Sequence, residues 1–288
     1  MASKTIKAGI CASASHFKAE AFLPSLTFLK RIKIEPVFSK TIYKKDLFTA
    51  GTAKDRANDL TKILKQKNID AVFFVRGGYG SAQILSVLDK TDLKKDLKDK
   101  QLMGFSDITA LLSYLYFKYG KTYFYGPNMV SSHFRNAKLL KDVINRKPLK
   151  IKIQILNKTK AVTIKAPIFG GCLSVLTSLA GTPYIKKLDG YILFIEDKNE
   201  APYKIDRMLN QLYQADIIKK IKAIAVGHMD KCETPPITWK DTVLKFAKEL
   251  DVPVIYGIKA GHGDFEYALP LGCIAEINFN KKELIIKP

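Results

Sequence analysis

The strongest constraint in this sequence is a rhythm: short apolar runs of strand length, each closed by a glycine-rich or polar turn and followed by helical apolar spacing. Ile6 to Ala12 precedes Ala19 to Leu29, and Asp55 to Lys67 carries a second helical pattern. Ala71 to Val75 ends in Arg76-Gly77-Gly78-Tyr79-Gly80 and leads into a helix-spaced stretch from Ala82 to Leu88. Gln101 to Phe105 gives way at Ser106-Asp107 to Ile108 to Tyr119, and Tyr123-Phe124-Tyr125-Gly126-Pro127-Asn128 reads as a strand closing in a turn. Continuously apolar strands are buried on both faces, and strands alternating with helices build a helix-covered parallel sheet. The pattern therefore predicts an α/β fold.

The rhythm breaks once. From about Arg135 to Lys165 the chain turns rich in Lys and Asn, with short β-like runs at Ile151 to Leu156 and Val162 to Ile164. It resumes near Pro167. Gly170-Gly171-Cys172-Leu173 opens a helix, Tyr191 to Ile195 is a strand, Ile205 to Tyr213 a helix, and Ala223 to Val226 and Val252 to Tyr256 are further strands. The expected organisation is an N-terminal parallel-sheet α/β domain over residues 1–134, a linker with local strands over 135–166, and a smaller C-terminal α/β domain over 167–288. A chain of 288 residues accommodates two such units.

The balance of 47% hydrophobic and 26% charged residues is that of a globular protein and excludes extended disorder. The formal charge of +21, from 48 Lys plus Arg against 27 Asp plus Glu, would draw polyanions. The basic residues are mostly Lys, spread along the chain and accompanied by many Ile and Asn, which a general lysine-rich bias also produces. No helix-turn-helix, zinc-finger or RNA-binding signature accompanies them, so nucleic acid is not an expected partner. Cys11, Cys172, Cys232 and Cys273 lack C-x-x-C spacing, which points to reduced thiols rather than a zinc knuckle or redox pair. The N-terminal stretch has no signal-peptide core and no run reaches membrane-span length, so a soluble, cytoplasmic protein is expected, with no membrane partner.

In parallel α/β sheets, ligands bind beyond the carboxyl ends of strands, where helix amino termini and backbone N–H groups converge. Polar residues there are the candidates. Ser106 lies on the tight turn Gly104-Phe105-Ser106-Asp107, where a strand-to-helix bend holds a hydroxyl clear of the sheet and aims the next N–H at an attacked carbonyl. The turn departs from G-x-S-x-G because Ile108 replaces the last glycine, and Ser106 or Asp107 capping the following helix explains it equally well. The Gly77-Gly78 loop and the Asp107 N–H are candidate oxyanion donors. Read alternatively as a phosphate-binding turn, the loop lacks the full G-x-G-x-x-G spacing and the P-loop lysine.

A serine nucleophile needs a general base, usually histidine oriented by a carboxylate. Among four histidines, His262 lies between glycines beside Asp264, with His228 as its rival; His16 is a candidate substrate contact and His133 a surface residue. Glu196 closes the run Tyr191-Ile192-Leu193-Phe194-Ile195, and Asp197 and Glu200 are alternative acids that also fit helix capping. Arg76 and Arg207 are candidate binders of a substrate carboxylate, which a guanidinium matches in shape. A non-catalytic protein clamping a small ligand or polyanion would explain the charge and two domains, but not this set of strand-end groups.

Taken in order, Arg76-Gly77-Gly78-Tyr79-Gly80, Gly104-Phe105-Ser106-Asp107, Gly170-Gly171-Cys172-Leu173, Glu196-Asp197 through Pro202-Tyr203-Lys204-Ile205-Asp206-Arg207-Met208-Leu209, and Gly261-His262-Gly263 resemble the LD-carboxypeptidase family. The resemblance covers nearly the whole chain. It implies a serine peptidase with the nucleophile at Ser106 in the N-terminal domain, Glu196 and His262 in the C-terminal domain, and oxyanion donors at the Gly78 and Asp107 backbones. It also implies a homodimer, no metal or organic cofactor, and a muropeptide or short peptide substrate. Members resembling this chain remove terminal D-alanine from peptidoglycan tetrapeptides in cell-wall recycling; a related branch hydrolyses peptidyl or aminoacyl nucleotide antibiotics of the microcin C type. Asn199-Glu200 before Ala201-Pro202-Tyr203 looks closer to the carboxypeptidase branch.

Overall fold

The computed structural model describes residues 5–157 and 159–288; residues 1–4 of the N-terminal stretch and residue 158 of the expected linker lie outside the described residues. The chain forms two units, Met1–Arg146 and Lys147–Pro288. Both are α/β.

The first unit contains β1 (Ile6–Cys11), α1 (Ala19–Arg31), β2 (Ile34–Val37), α2 (Ala53–Lys65), β3 (Ala71–Phe74), α3 (Leu85–Leu88), β4 (Gln101–Gly104), α4 (Thr109–Tyr119), β5 (Tyr123–Tyr125) and α5 (Ala137–Ile144). Its strands run in the order β5-β4-β3-β1-β2, with every adjacent pair parallel. Register is set by pairs such as Ala8 with Ala71, Val72 with Leu102 and Met103 with Phe124. The central strand β3 is buried at all four residues, as an Ala-Val-Phe-Phe run requires when helices cover both faces. Chain order reverses between β1 and β3. Such a reversal opens a crevice at the carboxyl edge, and the loops after these two strands carry Ser13 to His16 and the Arg76–Gly80 glycines.

Local chemistry explains the helix limits. α2 starts in a reciprocal capping box, with the Asp55 N–H donating to the Thr52 hydroxyl at 3.1 Å and the Thr52 N–H donating to Asp55 Oδ2 at 3.2 Å. α4 stops at Gly120, whose φ of 68° is left-handed.

The second unit contains β6 (Leu149–Lys152), β7 (Gln154–Ile155), β8 (Thr163–Cys172), α6 (Leu173–Ser178), β9 (Ile192–Lys198), α7 (Pro202–Gln214), β10 (Ala223–Asp230), α8 (Trp239–Glu249), β11 (Val254–Tyr256), β12 (Leu269–Leu271), β13 (Cys273–Asn278) and β14 (Glu283–Lys287). An eight-stranded sheet has the order β6-β14-β13-β8-β9-β10-β11-β7. Its centre, β8 to β11, is parallel, and antiparallel strands flank it on both sides. Pro202 opens α7 where its missing N–H costs nothing.

The segment 135–166, expected as a linker with local strands, holds α5, β6, β7 and the start of β8, and the boundary between the units falls after Arg146. Gly170-Gly171-Cys172 ends β8 rather than beginning a helix, and α6 starts at Leu173. Among the described residues no helix is long and apolar enough to cross a membrane. All four cysteines are buried thiols.

The Gly170 glycine has a steric cause. A Cβ there would lie 1.8 Å from the carbonyl oxygen of Phe194 on the neighbouring β9, at a φ of +155°. Backbone cannot yield as a side chain can. Gly170→Ala is expected to destabilise the protein by about 3 kcal/mol, the upper range for forced overpacking, read as a lower urea midpoint at unchanged m-value.

Candidate active site

In the first unit, Ser106 follows β4 with φ of 63°, a left-handed conformation uncommon for a residue with a side chain. The 3₁₀ turn Ser106–Ile108 leads directly into α4, and the residues preceding the two, Phe105 and Ile108, are apolar and supply no side-chain cap. The Ser106 N–H donates to the Tyr125 hydroxyl at 3.1 Å. Asn128 holds the preceding peptide from both sides, accepting from the Phe105 N–H at 3.4 Å and donating to the Phe105 carbonyl at 3.3 Å.

The glycine loop runs against this serine. A Cβ on Gly77 would stand 2.9 Å from Ser106 Cβ and 3.2 Å from its Oγ. Gly78 has φ of +90°, and a Cβ there would meet Ser15 Oγ at 2.5 Å. Ser15 ties the loop down, donating its N–H to the Gly77 carbonyl at 3.2 Å and accepting from the Tyr79 N–H at 3.0 Å. Asp107 is buried. Its Oδ2 accepts the Ser81 N–H at 2.7 Å, and its carbonyl accepts the Ser81 hydroxyl. Burial raises the Asp107 pKa, against the opposing hydrogen bonds of Ser81 and Gly80 and the charge of Arg56.

Arg56 is the residue that sequence reasoning missed. Only 2% exposed, it donates from Nε to the Gly51 carbonyl at 3.1 Å and from Nη1 to the carbonyls of Ser13 at 2.9 Å and Gly80 at 2.6 Å. Nη2 reaches Gln83 Oε1 at 2.6 Å. One guanidinium thus joins the loops after β1 and β3. The available signal was its spacing with Leu60 and Ile63, which puts it on the buried face of α2. Arg76 is exposed and donates to the His16 carbonyl at 2.9 Å, while His133 sits half-buried in a short 3₁₀ turn.

In the second unit the structure brings Glu196 and His262 together. Glu196, near the end of β9, is 0% exposed, and its Oε2 accepts the His262 N–H at 2.8 Å and meets His262 Nδ1 at 2.9 Å. With the Nδ1 proton on that contact, Nε2 is the basic nitrogen. Gly261 makes the approach possible: at φ of +116°, a Cβ would fall 2.4 Å from Glu196 Oε2. Burial pulls the His262 pKa down, but the hydrogen bond and charge of Glu196, joined by the charge of Asp197, outweigh it and leave it raised above 6.5.

The rival groups do other work. His228 Nε2 contacts the Asp264 carbonyl at 2.7 Å and its N–H donates to the Ala260 carbonyl at 3.0 Å, so it props the loop that presents His262. Asp197 accepts the Ser174 N–H at 2.7 Å at the start of α6 and the Lys198 N–H at 2.8 Å. Glu200 pairs with Lys204 at 3.3 Å, one helical turn on. The Arg207 guanidinium lies over the Tyr203 ring, 5.5 Å from its centroid.

A left-handed serine packed against a glycine loop in the first unit, and a histidine oriented by a buried carboxylate in the second, are groups of the kind serine hydrolases use. Residues 8–126 match the LD-carboxypeptidase N-terminal domain and residues 165–277 the LD-carboxypeptidase C-terminal domain. The chain belongs to the LD-carboxypeptidase family of serine carboxypeptidases. It is 28% identical to a probable murein peptide carboxypeptidase of Bacillus subtilis, covering 97% of this chain and 91% of that protein. It is 26% identical to the microcin C7 self-immunity protein MccF of Escherichia coli, covering 92% and 87%. The muramoyltetrapeptide carboxypeptidase structure from Oxalobacter formigenes superimposes with a TM-score of 0.85 at 25% identity, covering 98% of this chain and 99% of that one.

Glu196→Gln removes the charge that holds the His262 proton while leaving burial in place. The His262 pKa, followed by NMR of the ring protons, is expected to fall relative to the parent; an unchanged value would show that Glu196 does not control it.

Proposed function

We propose that this protein is a serine LD-carboxypeptidase that removes the terminal D-alanine of peptidoglycan tetrapeptides, acting as a cytoplasmic homodimer. Ser106 is the nucleophile, His262 the general base, Glu196 the carboxylate that orients it, and the Gly78 and Asp107 N–H groups the oxyanion donors. The observation that carries the reading is the 2.9 Å contact of His262 Nδ1 with a wholly buried Glu196, which leaves Nε2 to take a proton.

His262 Nε2 accepts the Ser106 proton as Oγ attacks the carbonyl preceding D-alanine, then returns it to the leaving amine. Water, activated by the same nitrogen, resolves the acyl-enzyme. Each oxyanion donor contributes roughly 3–4 kcal/mol to lowering the barrier. The chemistry draws on side chains and backbone dipoles alone. Arg76 and Arg207 are the candidate binders of the substrate carboxylate, and an unchanged KM after replacing either would remove it from that role.

The base works only when neutral, and its pKa is raised. The kcat/KM is therefore lost as pH falls through a pKa above 6.5 and is recovered on the alkaline side.

Mass-spectrometric detection of D-alanine tests the assignment. The parent protein is expected to release it from a tetrapeptide, Ser106→Ala to abolish release, and Glu196→Gln to lower kcat by about 10⁴. Near-parental release by Ser106→Ala overturns the nucleophile. The 26% identity to MccF favours a second reading, hydrolysis of a microcin C-type peptidyl nucleotide. Turnover of that compound with an inert tetrapeptide would establish it in place of the first.

A further inference from the structure

We propose that Cys172, Glu196 and His262 together form an inhibitory site for Zn²⁺, which binds the histidine nitrogen facing Glu196 and switches off the base. The inference rests on the reading of His262 as that base.

Cys172 takes no part in the mechanism above, yet it ends β8 directly beside the Glu196 end of β9, with which it pairs in register. One ligand atom from each of Cys172, Glu196 and His262 lies within 4.8 Å of the others. A tetrahedral zinc ion sits about 2.0–2.3 Å from N, O and S donors, which places the donors roughly 3.3–3.7 Å apart. A side-chain displacement of about 1 Å brings donors at most 4.8 Å apart to that spacing. The Glu196–His262 contact, at 2.9 Å, opens slightly as the metal enters. Three protein ligands leave the fourth position to water, the coordination of an accessible zinc site.

The surroundings suit a cation of this class. Glu196 and Asp197 are both buried here, and Asp197 Oδ1 takes the Cys172 thiol at 3.6 Å, with Ser174 Oγ 3.3 Å from the same sulfur. When the thiol loses its proton the contact with Asp197 is given up, and the Ser174 hydroxyl, 3.3 Å away, is the neighbour that donates to the thiolate as outer groups do to metal ligands. The nearest lysine ammonium on β9, that of Lys198, is engaged by Asp230 at 2.7 Å. A thiolate, an imidazole and one carboxylate select a borderline-soft ion over Ca²⁺ or Mg²⁺, which need shells of oxygen. Cys172 and Glu196 lie buried, while the His262 side chain is 19% exposed and offers the route of entry.

Binding involves no change of oxidation state. The Cys172 thiol releases its proton to solvent as the Zn–S bond forms; the single ring proton of neutral His262 passes through solvent from Nδ1 to Nε2 as the Zn–Nδ1 bond forms, and the Nδ1–H contact with Glu196 is lost. With the ring proton on Nε2, the metal-bound imidazole has no lone pair left to take the serine proton, and the ring is no longer aligned by Glu196.

The test uses the full chain and its Cys172→Ala and Cys172→Ser variants, each compared with its own metal-free rate. Zn²⁺ is expected to inhibit D-alanine release by the parent, with full recovery on adding EDTA, and to require at least about tenfold more metal in either variant, the scale of losing one contributor to a metal site. Co²⁺ gives a readout independent of activity: the parent should develop a near-ultraviolet thiolate-to-cobalt charge-transfer band that Cys172→Ala lacks. Equal zinc sensitivity of parent and variants, or no Cys172-dependent band, overturns the site. A Cys172-dependent band in a metal-loaded enzyme that still hydrolyses at the parental rate overturns the inhibitory role and, separately, His262 as base.

Discussion

The Glu196 carboxylate is the point on which the second unit's chemistry turns. A buried carboxylate loses several kcal/mol of hydration and persists only where hydrogen bonds and charge replace the water. Here a single residue supplies two donors to one oxygen, the backbone N–H and the Nδ1 of His262. That double contact demands that the chain pass against the carboxylate, and Gly261 is the residue that allows it. Acid, glycine and histidine are therefore one device. His228 completes it, because its contact with the Asp264 carbonyl fixes the far side of the same loop. The parallel run of β8, β9 and β10 carries these groups to one edge, and the close backbone approach at Gly170 lets β8 lie beside β9 there.

The first unit meets a similar burden with the opposite charge. Arg56 is a buried cation whose donors are taken by carbonyls from three loops and by Gln83. Burial lowers its pKa, while the charges of Asp107, Asp46 and Tyr79 act in the other direction. A guanidinium keeps its proton under such conditions where an ammonium would yield it, and its planar fork serves several acceptors at once. The carbonyl of Gly80 that it holds belongs to the same loop as Gly78, so a residue on the face of α2 fixes that loop at the switch between β1 and β3.

Much of this was legible in the sequence because continuous apolar runs and glycine turns state their environment locally. β1, β3, β4 and β9 fall where the runs predict, and Glu196 was marked by closing one. The C-terminal strands were not, because β13 places Ile274 on its solvent face among buried Cys273, Ala275 and Ile277, which blurs the two-residue period. The segment 135–166 was obscured by lysines: β6 alternates Leu149, Lys150, Ile151 and Lys152, with Lys150 and Lys152 both paired to Glu283 on the neighbouring β14, a partner more than a hundred residues away. Choices between acids and between histidines were likewise open in the sequence. Glu196, Asp197 and Glu200 differ little in local context, and only tertiary partners separate an acid facing a histidine from one starting a helix or pairing along it.

The turn at Ser106 joins sequence, strain and chemistry. A left-handed backbone at a residue with a side chain costs of order 1–3 kcal/mol, and glycine would relieve it. The surrounding structure over-determines the turn instead: Tyr125 accepts the serine N–H, Asn128 holds both sides of the preceding peptide, and Ile108 packs over Gly104, where a Cβ would come within 2.9 Å of its methyl group. Ile108 thus explains the departure from G-x-S-x-G, because this turn has its hydrophobic contact where the last glycine would stand. Left-handed backbone also occurs at residues such as Lys33, Asn199 and Asp216, so what sets Ser106 apart is the set of contacts from Tyr125, Asn128 and the Gly77 loop that fix its turn. Strain and contacts together fix where the Ser106 hydroxyl is presented at the end of β4.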